Sequence, residues 1–380
     1  MITRKTFVGY CIVMMLSLNG IMAQTDAPEK PEDSLSKFDK FNKKAEKLFK
    51  VIPVPIVSYS TEAGNVLGLA KFNAFHPVKK DTISKPSKIS ELVSFSSKGR
   101  VNIVVANDLI LKENKYMILS FFSYREVPEY IFGIGNGVSI DDVEEISTQQ
   151  IRFKTNPMIR VYENVYVGGI LDIADYIKVE ADSTSFLVQD QVTGLNGGTN
   201  FGLGFSLEFD SRENRYNPYN GSFVSAQFIF NEKALGSAYQ YTRFELDART
   251  YFNPWLEHVI ALQATTTALG GDAPFYNLAL LGGANKMRGY YEGALRDKVL
   301  VDTQVEYRMP VWNIFGVVGW VGTGRVAPSY DKMSLDGFWP SYGGGLRVKV
   351  DSKNKINLRL DFGFGRGGIH GTYISFAEAF

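Results

Sequence analysis

From residue 51 to the end of the chain, apolar and polar side chains alternate in strand-length runs, and helical spacing is nearly absent. In the run 200–210, Phe201, Leu203, Phe205, Leu207 and Phe209 oppose Asn200, Gly202, Gly204, Ser206, Glu208 and Asp210. Phe244, Leu246 and Ala248 oppose Arg243, Glu245, Asp247 and Arg249, and Ile356, Leu358, Leu360, Phe362 and Phe364 oppose Asn357, Arg359 and Asp361. In the run 299–312, Val299, Val301, Thr303, Val305, Tyr307 and Met309 oppose Leu300, Asp302, Gln304, Glu306 and Arg308. A period of two marks a strand with one apolar and one polar face. A soluble sandwich turns the apolar face to a core and a membrane barrel turns it to lipid, so alternation alone does not choose between them.

Turn signals divide the region into about sixteen strands, an even number that puts both ends of the sheet on one side. Short turns at 112–115, 162–164, 251–257 and 351–355 then share one side, assigned to the periplasm, and longer loops around 125–147, 180–199, 270–297 and 327–339 share the other. The long connection 76–88 is the exception. Residues 1–23 read as an export signal: Arg4 and Lys5 precede an apolar run ending at Ala23. Residues 24–50 form a short periplasmic segment whose part 34–50 has helical amphipathic spacing and a lysine-rich face, suited to anionic headgroups or to the barrel rim. The single cysteine, Cys11, falls within the signal, which excludes a disulfide or a cysteine metal site from the mature chain.

The chain has 36 Gly, 27 Phe and 20 Tyr, a composition of tight turns and aromatic girdles, and its net charge of +1 gives no reason to expect nucleic acid. No other stretch has the roughly 18 apolar residues of a spanning helix. The export signal, the long charge-mixed strands and the aromatic Phe380 together favour an all-β, transmembrane antiparallel barrel over residues 51–380. Its solvent is outer-membrane lipid.

The richest stretch is the glycine-rich loop 281–293 with its arginine, Arg288, followed at once by the strand carrying Glu306 on its polar face. In a barrel that face lines the lumen, and Glu306 is the expected lumen partner of Arg288. Gly282, Gly283 and Gly289 permit the close backbone approach this needs.

Met287, Arg288, Gly289 and Tyr290 resemble the Val-Arg-Gly-Phe tetrapeptide in the sixth extracellular loop of the bacterial surface antigen barrels, the membrane domain shared by BamA-, TamA- and FhaC-type proteins. Asp210, Arg212, Asn214, Pro218 and Gly221 resemble that family's Asp-x-Arg-x-Asn turn, which reads as a structural turn. Glu306, Tyr307, Arg308 and Pro310 resemble its Glu-aromatic-x-x-Pro strand. Ile374, Phe376 and Phe380 resemble a C-terminal assembly signal, interrupted by Glu378. Two features depart from the pattern. Gly322 stands where an acidic residue is usual, which leaves Glu306 as the main partner of Arg288. The region before residue 51 is also too short for a periplasmic POTRA module.

The resemblance implies a bacterial outer-membrane protein with both termini periplasmic. It would insert or translocate outer-membrane or secreted polypeptides, with client chains and other outer-membrane subunits as possible partners. The alternative is a passive channel or structural barrel without assembly activity. Enzyme chemistry, a cofactor and a metal are not expected: His76, His258 and His370 are far apart in sequence, and the pattern GFGRGG at 363–368 precedes a strand instead of opening a helix.

Overall fold

The computed structural model describes residues 53–60, 64–78, 81, 83–139, 143–352 and 354–380. The expected export signal and amphipathic segment lie outside the described residues. The strands are β1 (Val54–Ser60), β2 (Gly64–Phe75), β3 (Ser87–Ser96), β4 (Val101–Leu111), β5 (Tyr116–Ile131), β6 (Glu144–Tyr162), β7 (Val165–Ala181), β8 (Gly198–Asp210) and β9 (Gly221–Asn231). They continue as β10 (Tyr241–Phe252), β11 (Val259–Gly271), β12 (Ala279–Leu281), β13 (Leu295–Asp297), β14 (Val299–Trp312), β15 (Phe315–Ala327), β16 (Trp339–Asp351), β17 (Ile356–Gly365) and β18 (His370–Phe376). Sixteen of these form one sheet in which each strand pairs antiparallel with the next, as the alternation and turn signals lead one to expect. The other two, β12 and β13, pair as a hairpin inside the connection from β11 to β14.

Burial decides between sandwich and barrel. Leu203, Phe205 and Leu207 on β8 are 41%, 58% and 51% exposed, whereas Ser206 and Glu208 between them are 3% and 2% exposed. Apolar side chains outside and charged ones inside is the inverse of a soluble protein and suits a solvent of lipid. The register extends this across strands: Phe205, Phe228 and Phe244 lie side by side on the outer face, and Ser206, Gln227 and Glu245 neighbour them on the inner. Among the described residues no helix is long and apolar enough to cross a membrane, which says nothing against crossing by strands.

The sheet closes almost completely. β1 and β18 are its two edges, seven residues each, and among the described residues no backbone ladder joins them. Interior strands run from 10 residues in β3 and β17 to 19 in β6. Tight connections such as 163–164 and 313–314 gather at one end of the barrel, with the longer 211–220 and 76–86, and the chain both enters β1 and leaves β18 there. The long connections, 132–143, 182–197, 272–298 and 328–338, gather at the other end. That loop end is filled by an apolar cluster that includes Leu187, Phe275, Tyr276, Leu281, Leu295 and Trp339.

Candidate functional site

Connection 272–298 does not stay at the loop end. Its β12–β13 hairpin carries residues 282–294 down against the inner wall, and both Met287 and Tyr290 are buried. Contact with β17 requires glycine on each side. A Cβ at Gly289 would lie 2.6 Å from the Phe364 carbonyl carbon, and one at Gly363 would lie 2.5 Å from the Gly289 nitrogen. Two of the glycines in GFGRGG, Gly363 and Gly365, are thus the floor on which this loop rests. Tyr290 fixes the loop: its hydroxyl donates to the Pro340 carbonyl at 2.6 Å and accepts from the Arg366 N–H at 2.6 Å. Burial pushes the pKa of that hydroxyl up.

This docking delivers Arg288 to the lumen interior, where it is fully buried. Its Nη2 lies 2.5 Å from Glu306 Oε2 and its Nη1 lies 2.7 Å from Asp361 Oδ2, while the guanidinium sits 3.7 Å from the centre of the Trp320 ring. Glu306 comes from β14, Asp361 from β17 and Trp320 from β15, so one arginine joins three strands and a loop. At Gly322, where the resemblance leads one to expect an acid, a side chain would meet Gln304 Cβ at 3.0 Å. Asp361 supplies the second carboxylate instead.

Neighbouring charges close a ring. Asp361 Oδ1 accepts from Arg347 Nη1 at 2.5 Å, and Arg347 Nε donates to Glu378 Oε2 at 2.7 Å. Glu378 lies 3.9 Å from Arg308 Nε, which in turn donates to Glu306 Oε1 at 2.8 Å. The sequence of charges is therefore Arg288, Asp361, Arg347, Glu378, Arg308, Glu306 and back to Arg288. Arg359 adds a bond to Asp361 at 3.2 Å and another to Asn285 at 2.7 Å. Such a set is stable only while every charge keeps a partner, and removal of one partner strands the rest in a dry interior.

Glu378 reaches the ring because the last residues leave the barrel wall. The alternation predicts a final strand running to Phe380, but β18 ends at Phe376, and Ala377 takes a left-handed backbone with φ +64°. The tail turns inward, so Phe380 is buried against Tyr251, Val259 and Ala261 on the lumen face, and its main-chain oxygen accepts from Arg308 Nη2 at 2.8 Å. Ile374 keeps the outward parity in β18, whereas Phe376 packs its ring 5.9 Å from Phe72 of β2.

The turn motif at 210–221 lies at the tight-turn end. Arg212 grips the Asp210 carboxylate with both Nε and Nη2, at 2.8 and 3.0 Å. The Asn214 side chain accepts from the N–H groups of Tyr216 and Asn217, and Gly221 takes φ +96° with the Ser211 carbonyl against it. Pro218 presents its carbonyl to Arg308 at 3.4 Å, so the turn also touches the ring. Across the lumen, β5–β11 line a polar cavity of about 540 Å3 that includes Arg152, Lys154, Glu245, Asp247 and Arg249.

A lipid-embedded barrel of sixteen strands whose loop arginine folds back to lumen carboxylates is a transmembrane barrel of the bacterial outer membrane. A profile of the Omp85 superfamily domain matches residues 109–368, and the chain belongs to that family. Its fold is similar to that of BamA from Haemophilus ducreyi lacking POTRA domains 1–3, with TM-score 0.54 and 13% identity over 84% of this chain and 69% of that one. It is also similar to CdiB from Acinetobacter baumannii, with TM-score 0.51 and 12% identity over 86% of this chain. The chain spans 58% of the length of CdiB. A search of curated proteins by sequence gives no match.

Proposed function

We propose that this chain is a barrel that inserts or translocates polypeptides at the outer membrane, with the tight-turn end and both ends of the sheet in the periplasm. The observation that carries the reading is the seam. Two short edge strands, β1 and β18, face each other with no ladder among the described residues, beside a buried arginine ring that holds loop and wall together. Exposed edge groups of this kind template an added strand, and a barrel that keeps such edges holds a ready-made path for a polypeptide. The lumen is poorly suited to a selective pore, because its charges are paired with one another and its loop end is filled by apolar side chains. The proposed chemistry is strand exchange and not covalent catalysis.

Purified protein in liposomes tests this. Faster folding of a client outer-membrane barrel than in empty liposomes is the expected result. Solute flux with no effect on client folding would assign the chain to the passive-channel class instead.

A further inference from the structure

β18 is held from within the lumen at two places. Near the middle of the strand, the Tyr373 hydroxyl accepts from the Gly289 N–H at 3.0 Å and donates to the Tyr290 carbonyl at 3.1 Å, which ties the edge strand to the arginine loop. Beyond its end, the Glu378 carboxylate accepts from Arg347 at 2.7 Å on one oxygen and from Asn357 at 2.7 Å on the other, and the Glu378 N–H donates to the Tyr216 carbonyl at 2.9 Å. Phe376 crosses the seam to Phe72, which lies one strand beyond β1. Among the described residues no backbone ladder crosses the seam: Phe376 reaches over it to Phe72, and Glu378 ties the tail to β16, β17 and the turn 211–220, whose Tyr216 packs edge-on against Phe72.

We infer that residues 377–380 are a latch on the seam, with Glu378 as the positioning residue that couples β18 to the loop of Arg288. Both ends of the coupling share one set of charges. Arg288 holds Asp361, Asp361 holds Arg347, and Arg347 holds Glu378. When Glu378 leaves, Arg347 keeps Asp361 alone among the described carboxylates that pair with it, and that carboxylate is also shared with Arg288 and Arg359. Withdrawal of the tail thus disturbs the hold on the loop, and withdrawal of the loop weakens the hold on the tail, as reciprocal coupling requires. The tail keeps the edge strand in place and the barrel at rest. The inference uses the proposed function only in taking the seam as the part that opens, and its test needs no client.

Hydrogen exchange of the full chain in a lipid bilayer, read by mass spectrometry, supplies the test. Glu378→Gln removes the charge and keeps the size. Exchange across 370–376 is expected to rise about tenfold and exchange across 282–293 to rise with it, while 198–252 stays unchanged. Arg288→Ala is expected to raise exchange at 370–376 as well, and in the double variant the two effects fall short of their product. Unchanged exchange at 370–376 overturns the latch. So does a rise spread evenly over the barrel, or a double variant in which the effects multiply. Should Glu378→Gln fail to fold, Asn357→Ala removes one of the two carboxylate contacts, and exchange at 370–376 must still rise.

Discussion

The lumen faces of β10 and of β14–β17 both set arginines beside carboxylates, yet the two walls use the same chemistry for different ends. On β10, Arg243 pairs with Glu245 and Arg249 with Asp247, each two residues along the same strand, and these side chains remain a fifth to a third exposed to the polar cavity. Such pairs neutralise a wall that its backbone ladders already hold on both sides. In the other wall the ring ties a loop, three strands and the tail together with almost no exposure. That sector includes the one boundary among the described strands with no ladder. The ring reaches that boundary through the tail alone, and the aromatic contact of Phe376 with Phe72 crosses it.

The largest expected effect breaks the comparison directly. Arg288→Ala leaves Glu306 and Asp361 short of a buried partner and is expected to cost about 3–5 kcal/mol, whereas Arg249→Ala is expected to cost under about 1 kcal/mol. Urea unfolding in detergent, followed by the gel shift of the folded barrel, measures both. Arg288→Lys should recover little, because one ammonium cannot reproduce two directed bonds and stacking on Trp320. Equal losses for Arg288→Ala and Arg249→Ala would erase the distinction between the walls.

A middle-sized effect sharpens it. Gly363→Ala pushes a methyl group toward the backbone of Gly289, which must move, and is expected to cost about 1–3 kcal/mol. Gly169→Ala on β7 meets open space and should be neutral or slightly stabilising. The same unfolding measurement separates them, and a harmless Gly363→Ala would mean that the loop is not pressed against β17 as the ring requires.

Much of this architecture is legible in the residues. The alternation in β8, β10, β14 and β17 sorts lumen from lipid positions correctly once burial shows which face is which, because strand parity is a local property. Arg288 and Glu306 stand out for the same reason: one lies in a glycine-rich loop and the other has lumen parity on the strand that follows, 18 positions later. Asp361 has the right parity too, but its bond to Arg288 depends on how β14 and β17 meet across the lumen. Glu378 reads as a flaw in an apolar row. Its role depends on the left-handed turn at Ala377, a conformation that alanine rarely takes and does not announce. GFGRGG reads as an ordinary connection, since its use as a floor for Gly289 is a contact between residues more than seventy positions apart.

The smallest expected effect concerns the long connection 76–86, the exception among the turns, which lies beside the seam sector outside the ring. Asp81 organises it. Its carboxylate accepts from the Glu113 N–H at 2.9 Å, the Ser84 hydroxyl at 2.5 Å, the Ser84 N–H at 2.8 Å and the Ile83 N–H at 3.1 Å, and so pins the connection to the turn between β4 and β5. These bonds, with that from Glu113 foremost, hold its pKa well below the ordinary 3.8. A carboxyl depressed on folding lends stability that is fully present above its unfolded value and is lost as pH falls through the folded one. Neutral and mildly acidic solutions should therefore leave the connection protected, and only strong acid should free it. Pepsin, active across that range, reads this as cleavage within 76–86. Asp81→Asn should open the site already at the upper end of the pepsin range. If both proteins are cut alike at every pH, the carboxylate does not fasten this edge, and side-chain control of the seam sector stops at the ring.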